Sequence, residues 1–508
     1  MAYLACAALL AACVKGFKDE ETWSPSVRNA QLESPPDEAI TVAFSADGET
    51  HTISWPVVLG AGGYEVTVWK VISADSLVLV GEEKQTVDGL STRRPAEDDT
   101  RYKVHVRTLG NPKFNNTEAA APATKEYTNL VNATAVIPDG TDLTQYFTAN
   151  TIPLTCDSTL CYELESGGSY TMNGDIYHRQ SSFIVRGDKN NPASLSITKG
   201  SFVNGGAGFR LQYAAVTYAN SVTDPLIRLD TAFNTAQAAL ATDGWLVVPA
   251  THPIMLLALE VKNMQSSILV GGGRRYAVGA VLIKKCLIGY NSNAAPQVIF
   301  SGAGTNRQVL TIKDCTITES TFYNEQKSSN YLMQLHGADA ASIINIPGGE
   351  IWGGGSLSLT RSTFWQMGYS QAIYNGNGQQ WNRATDKITV TNCVFVNSFN
   401  DGGTDKADDY CTVEPCTGPC TSTGIIRRIR SSSDTPGFAG GYNTYWHYDH
   451  GGCGFLRYEV SHANGDKSGT HITSDPQLTF NGASATPLFT MNGAEQIRRR
   501  TGDPRWLP

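Results

Sequence analysis

Five polar side chains fall on one kind of strand in the second half of this chain: Gln334, His336, Asn375, Arg428 and Arg430. They belong to the segments Val298–Gly302, Met333–Gly337, Ala372–Gly376 and Arg427–Arg430. Aligned end to end, Val298, Met333 and Ala372 share one column, and Phe300, Leu335 and Tyr374 share another; both are mainly apolar. Alternation along a strand then turns the intervening positions outward. These are Ile299, Gln334, Ile373 and Arg428 in one column, and Ser301, His336, Asn375 and Arg430 in the other. Guanidinium groups on such a face clamp carboxylates bidentately, so the expected chemistry is recognition of an acidic polymer such as a polyuronate. A β-eliminating lyase needs more: a neutralised uronate carboxylate, a base for the C5 proton and an acid for the leaving oxygen. Arg428, Arg430, Lys285 or Arg361 would supply the base. Calcium would be the cofactor of a lyase, held by Asp401, Asp405, Asp408, Asp409 and Glu414; otherwise no cofactor is expected. That acidic loop lacks regular ligand spacing, and a solvated insertion accounts for it equally. No pair of aspartates falls on one column, which argues against a hydrolase.

Aromatic residues offer a second kind of contact. Trp352, Trp365, Trp381, Tyr442, Tyr445, Trp446 and Tyr448 crowd into the late part of the chain. Sugars stack their CH faces on exposed rings, and Trp381, Tyr442 and Trp446 are the candidates for that role. His447, Asp449 and His450 are too local a cluster to argue a metal. Gly271–Gly273 followed by Arg274 and Arg275 lacks the Lys-Ser/Thr ending of a phosphate loop.

These residues need a scaffold that repeats. One block does: Ile283-Lys-Lys-Cys286-Leu-Ile288, Ile312-Lys-Asp-Cys315-Thr-Ile317, Leu359-Thr-Arg-Ser362-Thr-Phe364 and Val390-Thr-Asn-Cys393-Val-Phe395. Weaker copies begin at Ile197 and Val261. Recurrence at this scale marks a solenoid. In each block one strand ends, two residues turn and the next strand begins. The second turn residue is Asn263, Lys285, Asp314, Arg361 or Asn392; Asn and Asp tolerate the left-handed backbone of a sharp bend. Cys286, Cys315, Ser362 and Cys393 are then expected in one internal column. With the Gln334-type strand as the third, three strands per coil make a right-handed parallel β-helix over residues 133–508. The best helix candidate is short, Thr231 to Ala241.

Residues 36–128 read differently. Strand patterns Ile40–Phe44, His51–Trp55, Tyr64–Trp69, Leu77–Val80 and Tyr102–Val106 recur at sandwich-like intervals. The layout resembles a fibronectin type III module, with Trp55 in its core and Leu90 and Tyr102 at its tyrosine corner. Residues 14–35 read as a polar tether. Ahead of it, Leu10-Ala-Ala-Cys13 closes a short apolar run and resembles a bacterial lipobox. That resemblance implies that residues 1–13 are a signal, that Cys13 carries lipid, and that the mature protein sits on the outer-membrane surface. Met1-Ala2-Tyr3 lacks the usual positive n-region.

The whole-chain figures narrow the partners. Net charge is −8 and there is no basic run, which argues against nucleic acid. Charged residues are only 17% and glycines number 49, the balance of a turn-rich β protein. Of the 11 cysteines, Cys156 and Cys161 bracket a tight loop, and Cys411, Cys416, Cys420 and Cys453 share a loop-rich segment. In an exported protein these favour disulfides. Zinc is the alternative for the last four, against the absence of paired knuckle spacing.

Taken together, the chain resembles a family of surface lipoproteins that carry a fibronectin-like module before a pectate-lyase-like β-helix. Phe183-Ile-Val-Arg-Gly-Asp-Lys-Asn-Asn-Pro192 is similar to their early coil, and Ser474-Asp-Pro-Gln477 and Gly502-Asp-Pro-Arg-Trp506 to their C-terminal signature. The resemblance implies an association with systems that degrade plant-type, often pectin-like polysaccharide. Three functions are therefore expected in order: a surface glycan-binding protein, a polysaccharide lyase, and a structural or adhesive surface protein. Other proteins of a glycan-uptake complex would be further partners.

Overall fold

The computed structural model describes residues 27–508 except 46–47, 74, 231–239, 241–243, 272–274, 293–299, 303–309, 327–332, 335–343, 346–350, 353–354, 368–373, 376–385, 399–425, 428–436, 447 and 449–468. The chain divides into two compact units between Asn132 and Ala133. No described helix is long and apolar enough to cross a membrane. The helix expected at Thr231–Ala241 and the cysteines from Cys411 to Cys453 lie outside the described residues.

The first unit is an antiparallel β-sandwich. Strands β1 (Thr41–Phe44), β2 (Thr50–Ser54) and β6 (Ser91–Pro95) form one sheet in the order β1-β2-β6. Strands β3 (Tyr64–Ser73), β4 (Ser76–Leu79), β7 (Arg101–Thr108) and β8 (Ala123–Thr128) form the other in the order β4-β3-β7-β8, and β5 (Gln85–Val87) pairs with β3. Alternation on β3 and β7 sends Tyr64, Val66, Val68, Tyr102, Val104 and Val106 into the core with Ile53 and Trp55. The Tyr102 hydroxyl accepts the Glu97 N–H at 2.7 Å, which ties the start of β7 to the chain before it. Leu90 is exposed and takes no part in that corner. The tether ends sooner than expected. Leu32 is buried, and Asn29 and Leu32 donate backbone hydrogen bonds to the Phe114 and Thr117 carbonyls.

The second unit is a parallel β-helix of three long sheets. One coil runs Tyr276–Lys284 in the first sheet, Leu287–Tyr290 in the second and Phe300–Gly302 in the third. The next runs Leu310–Thr318, Thr321–Asn324 and Met333–Gln334, each paired in parallel with its equivalent. Short helix Leu143–Ala149 closes the start. Asp142 caps it by accepting the Gln145 N–H at 2.9 Å, and Phe147 packs edge-on to Tyr162 and Phe183.

The corner between the first and second sheets carries a ladder of left-handed residues: Tyr213, Ala258, Lys285, Glu319, Arg361, Asn392 and Tyr442. Each of the first six donates its N–H to the carbonyl just before the corner of the next coil, as Lys285 does to Thr318 and Glu319 to Thr360. The second block of the sequence pattern is therefore Ile317-Thr-Glu-Ser320-Thr-Phe322, not Ile312–Ile317. Asp314 and Cys315 lie inside the long strand Leu310–Thr318, where Cys315 pairs with Val281 and Leu357. The small corner column is Cys286, Ser320, Ser362, Cys393 and Asn443. Its hydroxyls and amide accept backbone N–H groups from the neighbouring coil, Cys286 N–H to Ser320 Oγ at 3.0 Å and Cys393 N–H to Asn443 Oδ1 at 2.9 Å. Asn263 is left-handed too, but at an irregularity within Glu260–Met264.

Stacking continues inside. Phe322, Phe364, Phe395 and Tyr445 lie over one another with centroids 5.4, 5.0 and 5.1 Å apart and planes within 8°. Cys161, Cys286, Cys315 and Cys393 are buried free thiols, and Cys156 is a half-buried one. The disulfide expected between Cys156 and Cys161 is absent, because Cys161 stands in the strand Leu160–Leu164 and is buried there. Burial pushes the Cys286 and Cys393 thiols up to about 12 and raises Cys315 further. Thiolate is the species that alkylates. Mass-resolved alkylation of the native protein is therefore expected to modify Cys156 and to leave Cys286, Cys315 and Cys393 unmodified until denaturant unfolds the chain.

His178 is fully buried and stacks between Phe183 and Phe209, each 5.4 Å away. Desolvation lowers its pKa from 6.5 to about 4. Between those values the unfolded chain binds a proton that the folded chain refuses. Its contribution is thus complete above pH 6.5 and lost as pH falls toward 4, up to about 3 kcal/mol. His178→Phe should flatten the fall in melting temperature between pH 7 and pH 4.5. An unchanged slope would mean that another group sets the acid sensitivity.

Candidate functional site

The third sheet has two columns. Ile176, Phe202, Ile227 and Leu269 pair successively, face inward and are buried. Phe300, Met333, Tyr374 and Ile426 continue this register. The neighbouring column starts with Tyr177, Val203, Arg228 and Val270 and continues in register through Ser301, Gln334, Asn375 and Arg427. Eight coils at about 4.8 Å each make it about 34 Å long.

Sequence reasoning reached part of this column. Gln334 and Asn375 occupy successive rungs of it, although the alignment had put them in different columns. Met333 pairs with Phe300, and Tyr374 with Met333, so the alignment slips by two residues at the second and again at the third segment. A slip of two keeps the inside–outside alternation that a slip of one would destroy, which is why the pattern did not reveal it. Arg427 pairs with Asn375, taking the rung expected for Arg430. His336, Trp381, Arg428 and Arg430 lie outside the described residues, as do Asp401, Asp405, Asp408, Asp409 and Glu414.

The early coils hold a group the sequence reading missed. Tyr177 is 47% exposed on this face. Its hydroxyl donates to Asp175 Oδ2 at 3.3 Å, and the same carboxylate pairs with Arg228 two coils along. Asp175 is held in place by accepting the Ser201 N–H at 3.0 Å. The Arg228–Asp175 pair is partly open to solvent, with side chains 33% and 28% exposed. Such pairs are worth at most about 1 kcal/mol, so a ligand carboxylate can replace Asp175 on the guanidinium at little cost. The available signal was the short apolar-x-apolar strands near Ile176, Phe202, Ile227 and Leu269, which follow each second-sheet strand as Phe300 and Met333 do. Among the described residues no cluster of three His, Cys, Asp or Glu side chains is placed to hold a metal.

The late aromatics and the C-terminal motif have another use. The hairpin of Leu478–Phe480 and Phe489–Met491 roofs the outer face of the second sheet from Leu287 to Val396. Trp365 and Trp446 pack into this roof, Trp365 4.5 Å from Phe480. Trp446 is thus half-buried in a structural cluster. Tyr442 has the Arg499 guanidinium 4.4 Å over its ring, which occupies one stacking face. Neither offers the free platform expected of it.

Gly502-Asp-Pro-Arg-Trp506 locks the roof down. Asp503, buried, accepts from Thr321 Oγ1 at 2.7 Å and donates its N–H to Thr363 Oγ1 at 2.9 Å. Arg505 pairs with Asp503 and donates to the Cys286 carbonyl at 2.5 Å, reaching the corner ladder. The Trp506 indole donates to Thr321 Oγ1 at 2.6 Å. Gly502 has φ +94°, and a Cβ there would lie 3.0 Å from Thr363 Oγ1, so glycine is required. Phe183–Pro192 is structural too. Arg186 ends a first-sheet strand, and Asp188 Oδ1 accepts the N–H groups of Asn190 and Asn191 at 2.7 and 3.0 Å to turn the chain.

A family model described as a domain of unknown function matches residues 1–167, which span the sandwich and the opening coil of the β-helix. No curated protein matches the chain. Among solved structures, the chain is similar to pectate lyase PelI from Erwinia chrysanthemi in complex with tetragalacturonic acid. Identity is 10%, coverage is 57% of this chain and 89% of that one, and the TM-score is 0.15. The β-helix assignment rests on the strand register itself.

Asp503 is buried while its partner Arg505 is exposed, so removing the guanidinium leaves a buried carboxylate with fewer hydrogen bonds. Arg505→Ala should cost about 1–3 kcal/mol in urea unfolding and should open Cys286 to alkylation before global unfolding. Arg498→Ala, on the exposed side of the helix Ala494–Arg499, should change neither.

Proposed function

We propose that this protein is an outer-membrane surface lipoprotein that holds an acidic, pectin-like polysaccharide along the outward column of its third sheet, as part of a glycan-utilisation system. The observation that carries the reading is the register column from Tyr177 through Arg228, Gln334 and Asn375 to Arg427, in which Tyr177 is exposed and Arg228 half-buried while Val203 between them is buried. Its residue types include a Tyr, two Arg, a Gln and an Asn over about 34 Å, the span of an extended oligosaccharide. Two other surfaces suit the task less well. The second sheet is roofed from Leu287 onward, and its earlier strands present Ser169, Thr171, Ser194, Ser196 and Thr217, with no ring or guanidinium among them. On the first sheet the outward residues Arg186, Gln212, Leu257 and Lys284 are buried, and Arg210, Leu282, Thr316 and Ser358 are half-buried, with no ring among them. The sandwich serves as a spacer of fibronectin type III kind, a reading supported by its strand order and by the Tyr102–Glu97 corner. Cys13 carries the lipid.

A charged hydrogen bond of about 1.5–3 kcal/mol corresponds to about ten- to hundredfold in affinity. Arg228→Ala and Arg427→Ala should each weaken binding to polygalacturonate at least tenfold on an affinity gel, with the melting temperature unchanged. Arg101→Ala, exposed on the sandwich, should be neutral. Equal small effects at all three positions would remove the column as the site. Unsaturated product absorbing in the ultraviolet would instead make the protein a lyase.

A further inference from the structure

The sandwich has two poles, and the chain leaves it toward Cys13 at only one of them. Val27 lies against the β2–β3 loop: a Cβ built on Gly60 would meet the Val27 Cβ at 2.9 Å. Buried Asn116 fastens the junction, donating to the Val27 carbonyl at 3.1 Å and the Gly60 carbonyl at 3.0 Å. Its own Oδ1 accepts the Asn111 N–H at 2.6 Å, which adds the β7–β8 loop to the same pole. The β5–β6 turn completes it, since Trp55 donates its N–H to the Leu90 carbonyl at 3.0 Å.

This pole exposes aliphatic side chains beside the polar Arg28, Asp88 and Asn115. Val57 is 63% exposed, Leu59 53% and Leu90 44%. Pro56, Gly89 and Pro112 are exposed among them, with Lys113 beside Pro112. None of the three aliphatic side chains belongs to the sandwich core, which closes on Ile53, Trp55 and Tyr64. Large aliphatic groups gathered at one end of a unit mark a surface that another phase covers. Thirteen residues separate Cys13 from Val27, a reach of at most about 50 Å.

We infer that this pole of the sandwich, built by Val57, Leu59 and Leu90, docks on the lipid surface in which Cys13 is anchored. The inference rests on the lipoprotein reading above. Lipidation of Cys13 tethers the chain to the membrane, and a further apolar contact at the interface adds buried area to that tether. The exposed residues at the start of the chain's path out of the sandwich supply that contact. They also hold the unit end-on, with the β3–β4 hairpin and its exposed Ile72, Leu77, Val78 and Leu79 at the opposite pole.

The test uses the full-length protein expressed with its leader and reconstituted in vesicles of phosphatidylethanolamine and phosphatidylglycerol. Mass spectrometry reads acylation of Cys13, and hydrogen–deuterium exchange compares the vesicle-bound protein with the unanchored Cys13→Ala protein. Amides of residues 57–62 and 88–90 should exchange at least threefold more slowly on vesicles, and those of 72–79 at the same rate. The triple variant Val57→Ser, Leu59→Ser, Leu90→Ser should stay acylated and keep its melting temperature but lose that protection. Acylated protein with no protection at this pole, or with protection at 72–79 instead, overturns the docking and leaves the anchor standing. An unmodified Cys13 overturns the anchor and the docking with it.

Discussion

The structure of the second unit depends on one hydrogen bond, repeated. At the corner between its first two sheets a residue with positive φ donates its N–H to the carbonyl of the next coil, and this recurs from Tyr213 to Asn392. The bond fixes both the bend and the vertical register. Once register is fixed, each side chain lies over its equivalent, and the interior becomes a set of columns. Phe322, Phe364, Phe395 and Tyr445 stack because the corner places them at one strand spacing. Each such pair adds about 0.5–1.5 kcal/mol beyond area burial. A left-handed residue other than glycine is strained, and the chain uses Lys285, Glu319, Arg361 and Tyr442 there without Asn's tolerance. Neighbouring rungs compensate: Arg361 pairs with Glu319 at 2.7 Å, and Tyr442 lies under Arg499.

The C-terminal motif closes the same ladder from outside. Arg505 reaches the Cys286 carbonyl, Asn392 donates to the Arg499 carbonyl at 3.0 Å, and Gly502 donates its N–H to the Asn392 carbonyl at 2.7 Å. A solenoid has no long-range contacts of its own along the chain. This segment supplies them, linking residues near 503 to those near 286, 321 and 363. It also takes up Trp365 and Trp446, two of the aromatic residues that composition had suggested for sugar stacking. Rings beside glycine and polar residues look alike in sequence whether sugar or a protein hairpin covers them.

Much of the fold was legible because a buried column constrains residue type. The blocks ending in Ile288, Phe364 and Phe395, with their small residues Cys286, Ser362 and Cys393, were placed on the right corner. The block at Ile312 was not. Ile312-x-x-Cys315-x-Ile317 and Ile317-x-x-Ser320-x-Phe322 satisfy the same pattern, and only the pairing with Val281 and Leu357 puts Cys315 within a strand. Glu319 gave no turn signal, since its left-handed backbone is imposed by its neighbours and not by its own preference. The site was read less well for a related reason. On the third sheet the strands are only two to four residues long, too short for alternation to fix register to better than two residues. Tyr177, Asp175 and Arg228 were missed because they form one group only when coils two apart are superposed.

That superposition also explains how the column can be both polar and cheap to keep. Outward positions on a coil that no second layer covers can vary rung by rung, although Val203 in this column is itself fully buried. On the second sheet the roof removes that freedom and demands Leu287, Tyr323, Val394 and Val396. On the third sheet the described outward positions run Tyr177, Val203, Arg228 and Val270, alternating a large polar-tipped side chain with a β-branched apolar one. Every second coil is about 9.6 Å from the last. Long side chains at that spacing can lie over the smaller residue between them without meeting. Tyr177 and Arg228 are spaced in this way, two coils apart with Val203 between them.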